Sequence, residues 1–304
     1  MSTGALCWWG ESGSAMRVLR SARWVAARIA MGLVLGGGCW RAGAQAAALP
    51  SMQVAHGEDG KTEAERGRML LDAMVAALGG DAWLNRQTWI FYGRTATFYK
   101  GQPDAAAPQF EEYGRVSPFG ERLVIVSHFG PIIATNHSDV ADVWTSDHGY
   151  EITYKGTSAL PAKEVADFQR LREHSLDVVV KEWLKQPGSL VTYAGSKLVE
   201  RRLADEVSVL SASNDAVTLT LDQSTHLPLS ASFQWRDPVY KDWNTDAVEF
   251  ADYHEIQGIM TPYSIITMHN GDMTSERFLT KVVYDVPLAA ELFDPNSPLE
   301  AKHK

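Results

Sequence analysis

Along this chain the spacing of hydrophobic positions changes repeatedly, and each change marks an element boundary. Leu71, Met74, Val75 and Leu78 recur at helical spacing. Ahead of them, Thr62-Glu63-Ala64-Glu65 has the form of a capping box, in which Thr and Glu satisfy free amide donors at a helix start. Gly79-Gly80 closes the run, so the pattern predicts an amphipathic helix with one apolar stripe to bury. Residues 88–100 then turn aromatic and β-branched, the composition of a strand. Similar runs follow at 112–116, 122–128, 140–145 and 150–154, with Asp147-His148-Gly149 as a hairpin turn between the last two. Helical spacing returns between Pro161 and Lys185 through Val165, Phe168, Arg172, Leu176, Val179, Val180, Trp183 and Leu184, and Pro187-Gly188 ends it. Extended runs resume at 190–200, 207–211, 217–222, 229–236, 247–254, 262–269 and 273–286. Asn270-Gly271 suits the left-handed backbone of a two-residue turn and pairs 263–269 with 272–286.

Near-continuous strand-to-strand connection excludes parallel crossover units as the main architecture. The expected fold is therefore α+β: a large antiparallel sheet of about twelve strands with helices on one side. No Pro/Gly/Ser-rich linker divides it. One domain is expected over 62–295, with a helical insertion at 161–187, a flexible lead-in at 47–61 and a tail at 296–304.

Both faces of the strands carry apolar side chains. In the first long strand, Trp89, Phe91 and Tyr99 share one face, and Ile90, Tyr92 and Phe98 the other. In the Asn-Gly hairpin, Tyr263, Ile265 and Phe278 fall together, opposite Ile266, Met268, Met273 and Leu279. A sheet with one wet face alternates more cleanly, so helices, a partner or a ligand must cover each side. A plain packed core inside a curved sheet is the competing reading.

Composition adds a compartment. Arg17, Arg20, Arg23 and Arg28 precede a short apolar run at 29–40, and small-x-small patterns follow at 42–44 and 44–46. That order is a secretory signal peptide over 1–46. The apolar run is too short to span a bilayer, which takes roughly 20 residues; an uncleaved anchor is the alternative. Cleavage after Ala46 removes five of the 28 basic residues, one of the 37 acidic ones, and both Cys7 and Cys39. The mature chain is then acidic and free of cysteine, needs no oxidative folding, and does not suit a phosphate backbone, so no nucleic-acid partner is expected. Lipidation at Cys39 competes with cleavage, but Gly36 stands where bacterial lipoboxes carry Leu.

Little in the sequence carries chemistry. The stretch from Ala55 to Thr62 matches a relaxed phosphate-binding loop, yet no strand precedes it and the remainder is antiparallel. His137, Asp139, Asp142, Asp147 and His148 form the densest group of metal-ligand types, and solvated loop residues flanking hairpins are the favoured reading of them. Asp252, His254 and Glu255 at a strand end resemble an acid–base pair and equally a surface strand end. No catalytic residue, metal or cofactor is assigned.

Three phrases do carry a resemblance: Asp222 to Pro228 (DQSTHLP), the run from Val248 through Tyr253 and Gly258 to Pro262, and the run from Val282 to Leu292-Phe293-Asp294-Pro295. Together they resemble the outer-membrane lipoprotein-sorting (LolA-like) superfamily over about 80–295. The resemblance implies an incomplete antiparallel barrel, a half-barrel wrapped around helices, with an apolar cavity for acyl chains. It further implies a periplasmic carrier of a lipid, lipoprotein or other hydrophobic molecule, with a transient membrane partner. A lipid-sensing module of the same fold, and a hydrolase or metal enzyme using the 137–148 group, are the alternatives. The expected cavity lining is Trp89, Phe91, Phe98, Leu123, Ile125, Ile265 and Phe278, with Leu71, Met74 and Trp183 as a lid. Arg94 is the candidate for the cavity arginine that some carriers use. The helical insertion departs from the family pattern.

Overall fold

The computed structural model describes residues 60–99, 102–103, 108–126 and 139–301. The signal-peptide reading, Cys39, most of the phosphate-loop match and His137 lie outside the described residues.

Helix α1 (Glu63–Leu78) begins as its sequence dictates. Thr62 Oγ1 accepts the Glu65 amide at 3.1 Å, and Glu65 Oε2 accepts the Thr62 amide at 2.8 Å. Gly79 ends the helix with φ of 120°, and Leu71, Met74 and Leu78 are buried. A short helix α2 (Asp81–Asn85) follows and buries Trp83.

The chain then forms β1 (Thr88–Tyr99), β2 (Gln102–Pro103), β3 (Gln109–Arg115), β4 (Gly120–Val126), β5 (Val140–Trp144), β6 (Gly149–Thr153) and β7 (Gly156–Ala159). Helices α3 (Ala162–Glu173) and α4 (Leu176–Lys181) and a 3-10 turn at Trp183–Lys185 interrupt the strands. After them come β8 (Leu190–Val199), β9 (Arg202–Leu210), β10 (Ala216–Asp222), β11 (Pro228–Arg236), β12 (Trp243–Ile256), β13 (Ile259–His269) and β14 (Asp272–Tyr284). All pair antiparallel in a single sheet of order β7-β6-β5-β4-β3-β1-β14-β13-β12-β11-β10-β9-β8, with β2 on β1. Every neighbour is also a neighbour in sequence except β1, which lies between β3 and β14 and so joins the two halves. The sheet does not close: β7 and β8 are its two ends.

The two short strands, β2 and β7, are not among the expected ones. Gly156–Ala159 has no apolar alternation and all four residues are exposed; it pairs only because the turn at Thr153–Gly156 folds it onto β6. Both turns legible in the sequence are present. Asn270 and Gly271 take φ of 52° and 85°, and the Thr145 amide donates to the His148 carbonyl at 2.9 Å.

Each face of the sheet has its own core. The inner face is covered by the helices: Leu71, Met74, Leu78, Trp83, Val179 and Trp183 pack on Phe110, Val207, Leu219, Phe233, Leu279 and Tyr284. On the outer face, Ile90, Tyr113, Val124, Val143 and Ile152 are covered by Leu292, Phe293 and Leu299 of the C-terminal segment. On β1 and β3–β6, two apolar faces thus have two covers supplied by the chain itself.

Candidate functional site: an apolar cavity under the helices

Between the sheet and the helices lies a cavity of about 210 Å³. Its floor is sheet: Phe91 of β1, Ala231 and Phe233 of β11, Val248, Phe250 and Tyr253 of β12, Met260 and Ile265 of β13, and Leu279 and Tyr284 of β14. Alternation puts Ala231 with Phe233 and Val248 with Phe250 on one face, and irregularities at Asp252 and Thr280 bring Tyr253 and Tyr284 to the same wall as Phe250 and Leu279. Leu78 and Trp83 close one flank, and Leu171, His174 and Leu176 of the α3–α4 insertion form the roof.

Polar groups at the wall are mostly satisfied internally. Tyr253 Oη donates to the Pro228 carbonyl at 2.7 Å, and the Thr261 and Tyr284 hydroxyls lie 2.9 Å apart. Burial raises the pKa of both tyrosines, so they stay neutral. His174 Nδ1 sits 2.8 Å from the Arg170 carbonyl, an acceptor, so that nitrogen donates the hydrogen bond. The ring stacks on Phe233 with centroids 4.0 Å apart.

One ion cluster stands at the rim. Arg86 donates to Asp177, and Lys181 Nζ lies 2.9 Å from the same carboxylate. Burial pushes Asp177 up, but the two cations outweigh it and hold the carboxyl below its ordinary range. Arg86 also lies over the Trp83 and Tyr284 rings, each 5.5 Å from the guanidinium carbon. The arginine at the cavity wall is therefore Arg86, between α2 and β1. Arg94 is exposed and pairs across the sheet with Phe278.

Of the residues expected to line a cavity, Phe91 and Ile265 stand at its wall. Leu71, Met74 and Trp183 are buried in the helix-side core, and Trp89, Leu123 and Ile125 pack against that core. Phe98 and Phe278 belong to neither the cavity wall nor the helix-side core, and Phe278 is 45% exposed. Strand phase explains the last two. Phe98 differs in parity from Phe91 on the same strand, so the two face opposite ways. Phe278 is turned by a bulge: Met268 pairs with Met273 but Thr267 with Ser275, leaving Thr274 as the extra residue. One inserted residue flips everything beyond it, so Ile265 pairs with Arg277 and Phe278 with Ser264. The lining from β11 and β12 was legible only as generic apolar strand.

Beside the cavity, the inner face of β3–β6 carries carboxylates beneath α3. Glu112 is buried, ion-paired with Arg277, and accepts from Trp89 Nε1 at 2.7 Å. Burial and the nearby Glu112 push Glu121 up to about 8 against the pull of Arg277 and Arg172. Burial, Glu151 and Glu164 push Asp142 up to about 7. The other chemical candidates are solvated. His148 lies 3.3 Å from Asp147, with side chains 62% and 70% exposed, and His254 lies 3.1 Å from Asp252, at 53% and 66%. Among the described residues, no three His, Cys, Asp or Glu converge as metal ligands, and no helix is long and apolar enough to cross a membrane.

No family model and no curated protein matches the chain. Solved structures do. A Vibrio parahaemolyticus domain described as an outer membrane lipoprotein-sorting protein is 11% identical, with 77% of this chain and 98% of that one covered, at a TM-score of 0.49. A DUF1329 family protein from Desulfovibrio piger is 14% identical, covering 76% and 97%, also at 0.49. A LolA superfamily protein from Nitrosomonas europaea is 12% identical, covering 75% and 97%, at 0.44. The first and third bear the name of the superfamily that the sequence phrases resemble.

Proposed function

We propose that this protein binds a hydrophobic ligand, a lipid or a single acyl chain, in the cavity between sheet and helices, and serves as an exported carrier. The observation that carries the reading is the cavity itself. Protein interiors pack to crystal-like density with few voids larger than a water molecule. Here a hollow of about 210 Å³ is walled chiefly by apolar side chains. Water gains little in such a space, whereas a buried methylene recovers about 0.8 kcal/mol.

Size narrows the guest. An apolar cavity of about 150 Å³ takes one benzene ring, and drug-sized pockets run from about 300 Å³ upward. The cavity therefore suits one chain segment or one small ring system, not several chains side by side. Arg86 and Asp177 at the rim and the His174 ring would meet the polar end of such a molecule, while Phe233, Ile265 and Leu279 hold its apolar body. Resemblance to lipoprotein-sorting proteins supports a ligand of this class and an envelope location.

Native mass spectrometry of protein purified from its own cell envelope tests the reading. The expected spectrum shows one co-purified hydrophobic molecule per chain, released by mild activation. A chain that stays ligand-free and takes up no fatty acid or phospholipid added in excess contradicts it.

A further inference from the structure

The β11–β12 hairpin carries its apolar side chains outward. Val239, Tyr240 and Trp243 are 74%, 71% and 68% exposed, and Val239 and Tyr240 are the most exposed large hydrophobics among the described residues. This is not a loose loop. Asp237 Oδ1 accepts the amides of Val239 and Tyr240, each at 2.7 Å, and the Lys241 amide donates to the Asp237 carbonyl at 3.0 Å. Arg236 Nε donates to the Lys241 carbonyl at 2.9 Å, and Lys241 Nζ to the Pro238 carbonyl at 2.6 Å. The turn is thus held rigid with its greasy apex in water, an arrangement that favours contact with something apolar.

We propose that this apex is a membrane-docking tip, inserted into the interfacial layer of a lipid bilayer. Three observations favour a bilayer over a protein groove. A stable protein interface needs on the order of 1,000 Å² or more, which three apex side chains cannot supply. Trp and Tyr beside Arg and Lys is the pairing that settles at the headgroup boundary, rings in the acyl edge and cations among phosphates. Finally, charge is balanced at the tip, where Arg236 and Lys241 face Asp237 and Asp242, although the chain as a whole is −9. An acidic protein can approach an anionic surface at such a point without repulsion. The inference does not depend on the cavity holding a ligand.

Co-flotation with phosphatidylcholine vesicles, and with vesicles that also contain phosphatidylglycerol, tests it. Wild-type protein is expected to float with both, and a Val239→Ser/Tyr240→Ser/Trp243→Ser variant to partition about tenfold less or worse. The variant carries the same N-terminal segment, so any contribution from that segment cancels. Because the three side chains are exposed and belong to neither buried core, the variant should keep its far-ultraviolet circular dichroism, its melting temperature and its fatty-acid uptake. Wild-type protein that floats with neither vesicle, or a variant that floats equally well, overturns the proposal. So does a wild-type dimer in solution that the triple substitution abolishes, since the tip would then serve a second copy.

Discussion

Arg122 shows how one side chain can fasten a whole segment. It is fully buried on the outer face of β4, where it donates to the carbonyls of Leu292 at 3.4 Å, Pro298 at 2.8 Å and Leu299 at 3.0 Å. Arg122→Ala strands these carbonyls and leaves a void, a loss of about 3–5 kcal/mol. The expected outcome is a large fall in melting temperature and early protease cleavage beyond residue 286; unchanged melting would refute the role. Glu121 and Asp142 act in the opposite sense. Their folded pKa values, about 8 and about 7, lie above ordinary carboxylate values. Between roughly pH 4 and 8 the folded state holds protons that the unfolded chain has released, so stability falls as pH rises through that window. Glu121→Gln is therefore expected to raise the melting temperature at pH 8 and leave it nearly unchanged at pH 4, as pH-resolved thermal melts would show. A residue-scale signal was also where sequence reading failed. Nothing in Met273-Thr274-Ser275 marks a bulge, yet that one extra residue sends Phe278 outward.

Among the described α-helices, α3 alone lacks a fully buried residue. It is held instead by ring and ion contacts. Phe168 stacks on Trp144 at 4.1 Å, Arg170 lies 3.6 Å over Trp235 and pairs with Asp246, and Arg172 lies 3.8 Å over Phe119. Since Leu171 of α3 and the adjoining His174 roof the cavity, the proposed ligand binding predicts that α3 lifts to admit a guest. Amide exchange should be fastest in α3 among the helices, faster still in Phe168→Ala, and slowed by a bound fatty acid. Protection of α3 equal to that of α1 would contradict this. Helix α1, the hairpins and most strands were legible because capping residues, Gly stops and Asn-Gly turns act locally. Strand β7 was not, because its pairing is imposed by its neighbour. The insertion at 161–187 was legible as helical, but its place over the sheet depends on aromatic and cationic partners far away in sequence.

At the scale of the molecule, an open antiparallel sheet lies with one face under helices and the β1 and β3–β6 part of the other under its own C-terminal segment, and an apolar hollow stands between sheet and helices. The composition of the strands announced that both faces are covered; it did not announce which strands border the hollow, because β11, β12 and β13 look alike until their register is fixed. Ala231 is the smallest side chain on that wall and is itself buried, so enlarging it fills the space with little change elsewhere. The most direct test is a titration with a polarity-sensitive dansyl fatty acid against wild-type protein and Ala231→Phe. The cavity predicts saturable binding of one probe per chain in the wild type and loss of about tenfold or more in affinity in a variant that still melts cooperatively. Wild-type protein that never saturates, or an Ala231→Phe variant that binds the probe equally well, would contradict it.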